Sequence, residues 1–182
     1  MAKKRQNRKL KYWALKVFVI SLVLTAGISI ITEMLMDKLS VVAAALLILI
    51  IVLIGVAFDI ISIAFASCDT KPFVSMASKK IKRAKSALVL LRNAGVVSNI
   101  CGDVVGDICG IVSGAAGAAI AVKILAQSPT VPDIVMTIAI SSVIAAVTVA
   151  GKAAGKKLAI NKNKQIVSFV SYVLMFFLRE ER

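Results

Sequence analysis

Four long apolar runs separated by short polar blocks organise the chain. They extend from Tyr12 to about Met36, from Leu39 to about Ala66, from Ala94 to about Leu125 and from Ile134 to Ala150. At 1.5 Å per residue each is close to the length a helix needs to cross about 30 Å of hydrocarbon. Only helices or closed barrels satisfy their own backbone there. The pattern predicts an all-α, polytopic helical membrane protein of about four transmembrane helices. The first run ends at Glu33 and Asp37, the second contains one charge, Asp59, and the third holds Asp103, Asp107 and Lys123. Two prolines in the turn Gln127-Ser128-Pro129-Thr130-Val131-Pro132-Asp133 separate the last two runs, because proline breaks helices.

Two further segments are apolar on one face only. Lys71 to Arg92 carries Lys79, Lys80, Lys82, Arg83 and Lys85, with Ile81, Ala84, Leu88 and Leu91 spaced for one helical face. It is expected to lie on the cytoplasmic surface with its basic side toward anionic headgroups. The stretch from Gln165 to Leu178 reaches only about 21 Å as a helix, too short to span, and is expected to be a juxtamembrane, interfacial helix. Lys and Arg fall at 3, 4, 5, 8, 9, 11 and 16, at 71, 79, 80, 82, 83, 85 and 92, and at 152, 156, 157, 162, 164, 179 and 182. Only Lys38 and Lys123 fall toward the other face, so a cell-membrane, multi-pass protein with both termini cytoplasmic is expected. A basic start before an apolar run is also the pattern of a cleaved signal peptide, and Thr25-Ala26-Gly27 offers small residues. The run is longer than the roughly 7–15 residues of a signal core, which favours a retained first helix.

Composition sharpens this picture. Of 182 residues 59% are apolar, and the mean hydropathy of +0.93 lies outside the range of soluble domains. The formal net charge of +14 sits in blocks between the apolar runs, where topology places it, so nucleic acid is not expected as a partner. Histidine is absent, which removes imidazole relays, histidine triads and most transition-metal sites; no nucleophile and base pair can be named, and no enzyme is expected. Cys68, Cys101 and Cys109 form no CxxC pair and read as small buried hydrophobes.

The chemistry that remains is acidic and intramembrane. Asp103 and Asp107 are four apart and share a helical face with Asn99 one turn earlier. Two ionised carboxylates so placed repel, so a bound cation, a basic neighbour or a proton must resolve the charge. Asp59 lies at a similar depth in the second run, so the three carboxylates are expected to converge. Gly102, Gly106, Gly110 and Gly114 recur every four residues and allow another helix to pack closely.

The stretch from Ala57-Phe58-Asp59 through Ala84-Lys85-Ser86-Ala87-Leu88-Val89-Leu90-Leu91 to Gly102-Asp103-Val104-Val105-Gly106-Asp107 resembles the cyclin-M/CorC transmembrane domain. Gly151-Lys152-Ala153-Ala154-Gly155-Lys156-Lys157-Leu158-Ala159 is similar to the Gly-Glu-x-x-Pro-Lys motif that follows the last span in that family. The resemblance covers roughly residues 40 to 178. It implies a basic N-terminus and added first helix over 1–38, then a three-span domain with a juxtamembrane helix over 39–182. It further implies magnesium transport coupled to sodium and a homodimer. The regulatory domains of the family do not follow, so any such control is expected from a separate subunit. The family's coordinating asparagines are here Asp103 and Asp107, Asp59 falls near a family serine, Lys152 replaces the motif glutamate and Gly155 the motif proline.

Two functions are therefore expected from these residues. In one, Asp59, Ser62, Asn99, Asp103 and Asp107 hold a divalent cation, since hard oxygens suit magnesium. In the other the chain is a non-transporting structural or accessory membrane protein that dimerises through the glycine-rich helix. Lys152 either pairs with the carboxylates in place of a metal or points into the cytoplasm.

Overall fold

The computed structural model describes the backbone over 2–80, 82–127 and 132–179, and side chains over 15–80, 84–126, 132 and 134–174. The basic side chains at 3–11, Ile81, the side chains of Lys82 and Arg83, and positions 128–131 of the expected turn lie outside the described residues. All regular structure among the described residues is helical: α1 (Ala2–Lys38), α2 (Val41–Ser67), α3 (Lys71–Ser78), α4 (Lys82–Arg92), α5 (Ala94–Asn99), a π-helical segment (Ile100–Gly106), α6 (Asp107–Gln127), α7 (Asp133–Asn161) and α8 (Asn163–Arg179). Four stretches among the described residues are long and apolar enough to cross a membrane: Leu15–Lys38, Val41–Ser67, Ala94–Ala126 and Ile134–Asn161. Apolar side chains such as Val42, Leu46, Ile50 and Leu53 are exposed around α2, as expected where lipid rather than protein covers a helix.

The chain divides into two compact units. The first contains Met1–Val52 and Ile108–Ala145. Its buried face on α2 is Ala44, Ile48 and Val52, and that on α6 is Val112, Ala116 and Ile120, each set at four-residue steps that form one helical ridge. Met36 and Thr32 of α1 are buried as well. Lys123, expected at the far membrane face by charge counting alone, donates from Nζ to the carbonyl of Met36 and to that of Leu39 at 3.1 Å. Met36 lies in the last turn of α1 and Leu39 just past it, where carbonyls lack an intrahelical donor, so a cation there satisfies both the orphan acceptors and the negative end of the helix dipole.

The second unit contains Leu53–Asp107 and Ala146–Arg182. In it α3, α4 and α8 form a helical cap whose core is Phe65, Phe73, Ala87, Leu91 and Val167. Asp69 Oδ1 accepts the backbone N–H of Lys71 at 3.1 Å and Pro72 occupies the first turn of α3, both favourable where a helix starts. Asn163 Nδ2 donates at 3.0 Å to the carbonyl of Ser67, which ties the start of α8 to the end of α2.

Lys71 to Arg92 is two helices rather than one. Lys80 adopts φ 60, a left-handed conformation that ends the first helical stretch. The apolar face expected on the following helix is present, with Ala84 and Leu91 buried and Leu88 packed against the core. The fourth span also runs past Ala150 to Asn161, so Lys152, Lys156 and Lys157 are carried on α7 rather than on a connection after it.

Replacing Phe73, 3% exposed at the centre of the cap, by alanine should cost about 3–5 kcal/mol. A thermal melt of the detergent-solubilised variant followed by circular dichroism should show a lower midpoint; an unchanged midpoint would mean that α3 does not pack as described.

Candidate functional site

The site is built around Asp59, in the part of α2 that belongs to the second unit. Glycines bring two other segments against this turn of α2. On the π-helical segment, a Cβ at Gly102 would lie 2.7 Å from Ser62 Oγ, and one at Gly106 would lie 2.6 Å from Asp59 Oδ1. On α7, a Cβ at Gly155 would lie 2.7 Å from Ile60 Cγ1 and one at Gly151 3.0 Å from Val56 Cγ2. No side chain larger than hydrogen fits at Gly102, Gly106 or Gly155 without displacing its neighbour. Small residues four apart thus draw both segments onto α2, the packing device of membrane helices.

This close approach delivers Lys152 to the carboxylates. Its Nζ lies 2.9 Å from Asp59 Oδ2 and 3.7 Å from Asp107 Oδ1. Asp59 is 17% exposed and Lys152 31%, whereas Asp107, on the outer edge of the site, is 65% exposed. The first contact is a charge-assisted hydrogen bond by distance; the second is a longer ion pair. Ser62, a buried neighbour one turn along, shares 2.9 Å hydrogen bonds with the carbonyl and the hydroxyl of Ser98.

The π-helical segment sets which face of the third span carries these groups. Its i→i+5 turn interrupts the α register, and such interruptions recur at functional sites. Gly102, Val104 and Gly106 are buried there, while Asn99, Asp103 and Asp107 lie on the exposed side. Of the residues named from sequence, the structure brings together Asp59, Asp107 and Lys152, places Ser62 beside them in hydrogen bonds to Ser98, and gives Asp103 no ion-pair partner among the described residues. No group of three or more acidic or thiol side chains capable of holding a metal ion forms among the described residues.

The glycine stripe also divides. Gly102 and Gly106 are used within the chain against α2, whereas Gly110 and Gly114 have nothing within 4 Å of an added Cβ. Three participants were not singled out as such in the sequence. Ser98 had no motif to flag it, while Gly151 and Gly155 had a usable signal, their four-residue spacing around Lys152 directly after the predicted fourth span. Outside the spans, Cys68 packs against the cap core, and burial pushes its thiol above the ordinary value while nearby Lys164 opposes that shift. A thiol shifted in this direction is a poor nucleophile near neutrality, in keeping with a packing role.

Compared with protein-family models, curated proteins and solved structures, the chain matches none.

Gly106→Ala should push against Asp59 and destabilise the protein by about 1–3 kcal/mol, while Gly110→Ala, made into open space, should stay within about 1 kcal/mol of the parent. Parallel thermal melts in one detergent check this; equal effects of the two changes would contradict the packing described.

Proposed function

We propose that this chain is a structural or accessory membrane protein in which an intramembrane acidic site is filled by the chain's own lysine rather than by a transported cation. The observation that carries this reading is the 2.9 Å contact of Lys152 with Asp59, with Asp107 as second neighbour. An ammonium donates hydrogen bonds and one positive charge where a carboxylate in an apolar span would otherwise stand alone, so neither metal nor proton is required for its neutralisation. In this reading the protein resides in the cell membrane with both termini cytoplasmic, since the basic blocks favour that side.

A second reading, magnesium binding or transport with sodium as the coupling ion, is favoured by one observation. Lys152 sits on a flexible stem and its contact with Asp107 is long. Were the ammonium to withdraw, Asp59, Asp107 and Ser62 would present hard oxygens of the kind magnesium uses, as the cyclin-M/CorC resemblance also suggests. The resemblance further favours a homodimer, for which Gly110 and Gly114 leave room.

Isothermal titration of the purified protein with magnesium separates the two. The first reading predicts no saturable heat for the parent and saturable binding for Lys152→Met, which leaves Asp59 and Asp107 without their cation. Saturable binding by the parent that Asp59→Asn abolishes would overturn it in favour of the second.

A further inference from the structure

The cap of the second unit carries a feature that the ion pair leaves unused. Between α3 and α8 runs a cleft of about 460 Å³, within the range of roughly 300–1,000 Å³ typical of ligand sites. Pro72, Met76, Phe169 and Tyr172 are among its walls, with Lys164 and Ser168 supplying polar groups. Phe169 is 68% exposed, and Val74, Val173 and Leu174 on the same two helices are exposed too. Apolar exposure of this kind beside polar groups marks an interaction surface.

Charge identifies the occupant. From Thr70 to Gly102 the chain carries Lys71, Lys79, Lys80, Lys82, Arg83, Lys85 and Arg92 with no acidic residue, and α8, Asn163–Arg179, carries Lys164 and Arg179 with none. Asp69, just before the first run, is engaged with the backbone at the start of α3. The cap helices adjoin the C-terminal ends of α2 and α7 and the start of α5, so all three lie where spans meet the membrane boundary. An apolar cleft with a cation at its side, on an otherwise uncompensated basic cap at that level, complements one chemistry: an acyl chain attached to an anionic headgroup.

We propose that the α3–α8 cleft binds an anionic phospholipid, with acyl carbons against Met76, Phe169 and Tyr172 and the headgroup phosphate at Lys164. The site stands whether or not Lys152 occupies the acidic site, because it shares no residue with it. A lysine at an anionic lipid surface is worth about fivefold in binding, so loss of Lys164 should remove a preference of that order. Loss of Phe169 should weaken binding irrespective of headgroup charge.

The full chain in detergent, incubated with phosphatidylglycerol or with phosphatidylcholine of the same acyl chains and examined by native mass spectrometry, tests this. The parent should retain phosphatidylglycerol several-fold better. Lys164→Gln should bring the two lipids within about twofold of each other, and Phe169→Ser should lower retention of both. Both side chains are exposed, so both variants should melt at the parent temperature, which separates lost binding from lost folding. Excess inorganic phosphate should not displace the lipid. Equal retention of the two lipids by the parent, an undiminished preference in Lys164→Gln, or displacement by phosphate would overturn the proposal. So would a dimer that Phe169→Ser dissociates, which would assign the cleft to a second copy of the chain.

Discussion

A carboxylate inside an apolar span must be neutralised or paired, and the pairing of Asp59 with Lys152 is the contact on which the second unit turns. It requires α7 to approach α2 closely, which Gly151 and Gly155 permit, and it requires the helix of the fourth span to continue past Ala150 so that Lys152 is carried to the right height. The π-helical segment presents Gly102 and Gly106 to the same turn of α2, and this brings Asp107 into range of the ammonium. The glycines and the charges are thus one arrangement: without the small residues the ionic groups could not meet. Without the lysine the close approach would leave a carboxylate only 17% exposed and without its cation, at a cost of several kcal/mol.

A similar logic recurs in the first unit, where Lys123 is spent on the carbonyls at the end of α1. Lys123, inside a predicted span, and Lys152, just past the end of one, therefore act as internal donors. In the cap, by contrast, the basic residues of α3, α4 and α8 are matched by no acidic residue in the same stretches of chain.

The four spans and the two amphipathic segments were legible in the sequence because hydrophobic period and run length report directly on burial against lipid or protein. Asp59 and Asp107 were legible as candidates for the same reason, since intramembrane carboxylates are costly. The partner of Asp59 could be named as Lys152 but not assigned, because a lysine two residues past the expected end of a span can turn inward or outward. The outcome depends on where the helix ends, and an apolar run that fades into lysines conceals that end. The π-helical segment was not legible: Ile100 to Gly106 has no composition that distinguishes it from α-helix. The break at Lys80 was hidden too, since a lysine in left-handed conformation is uncommon and glycine or asparagine would have marked the turn. Asp103 was grouped with its neighbours by spacing alone, and spacing does not say which members of a face reach a given cation.

The most direct test of the ion pair as the organising contact is a double-mutant cycle on Asp59→Asn and Lys152→Met, read as unfolding free energies in one detergent. Each single change should destabilise the protein, and the double variant should be less destabilised than the sum of the two, with a coupling of roughly 0.5–3 kcal/mol. Strictly additive effects would show that the two side chains do not depend on each other and would contradict the account.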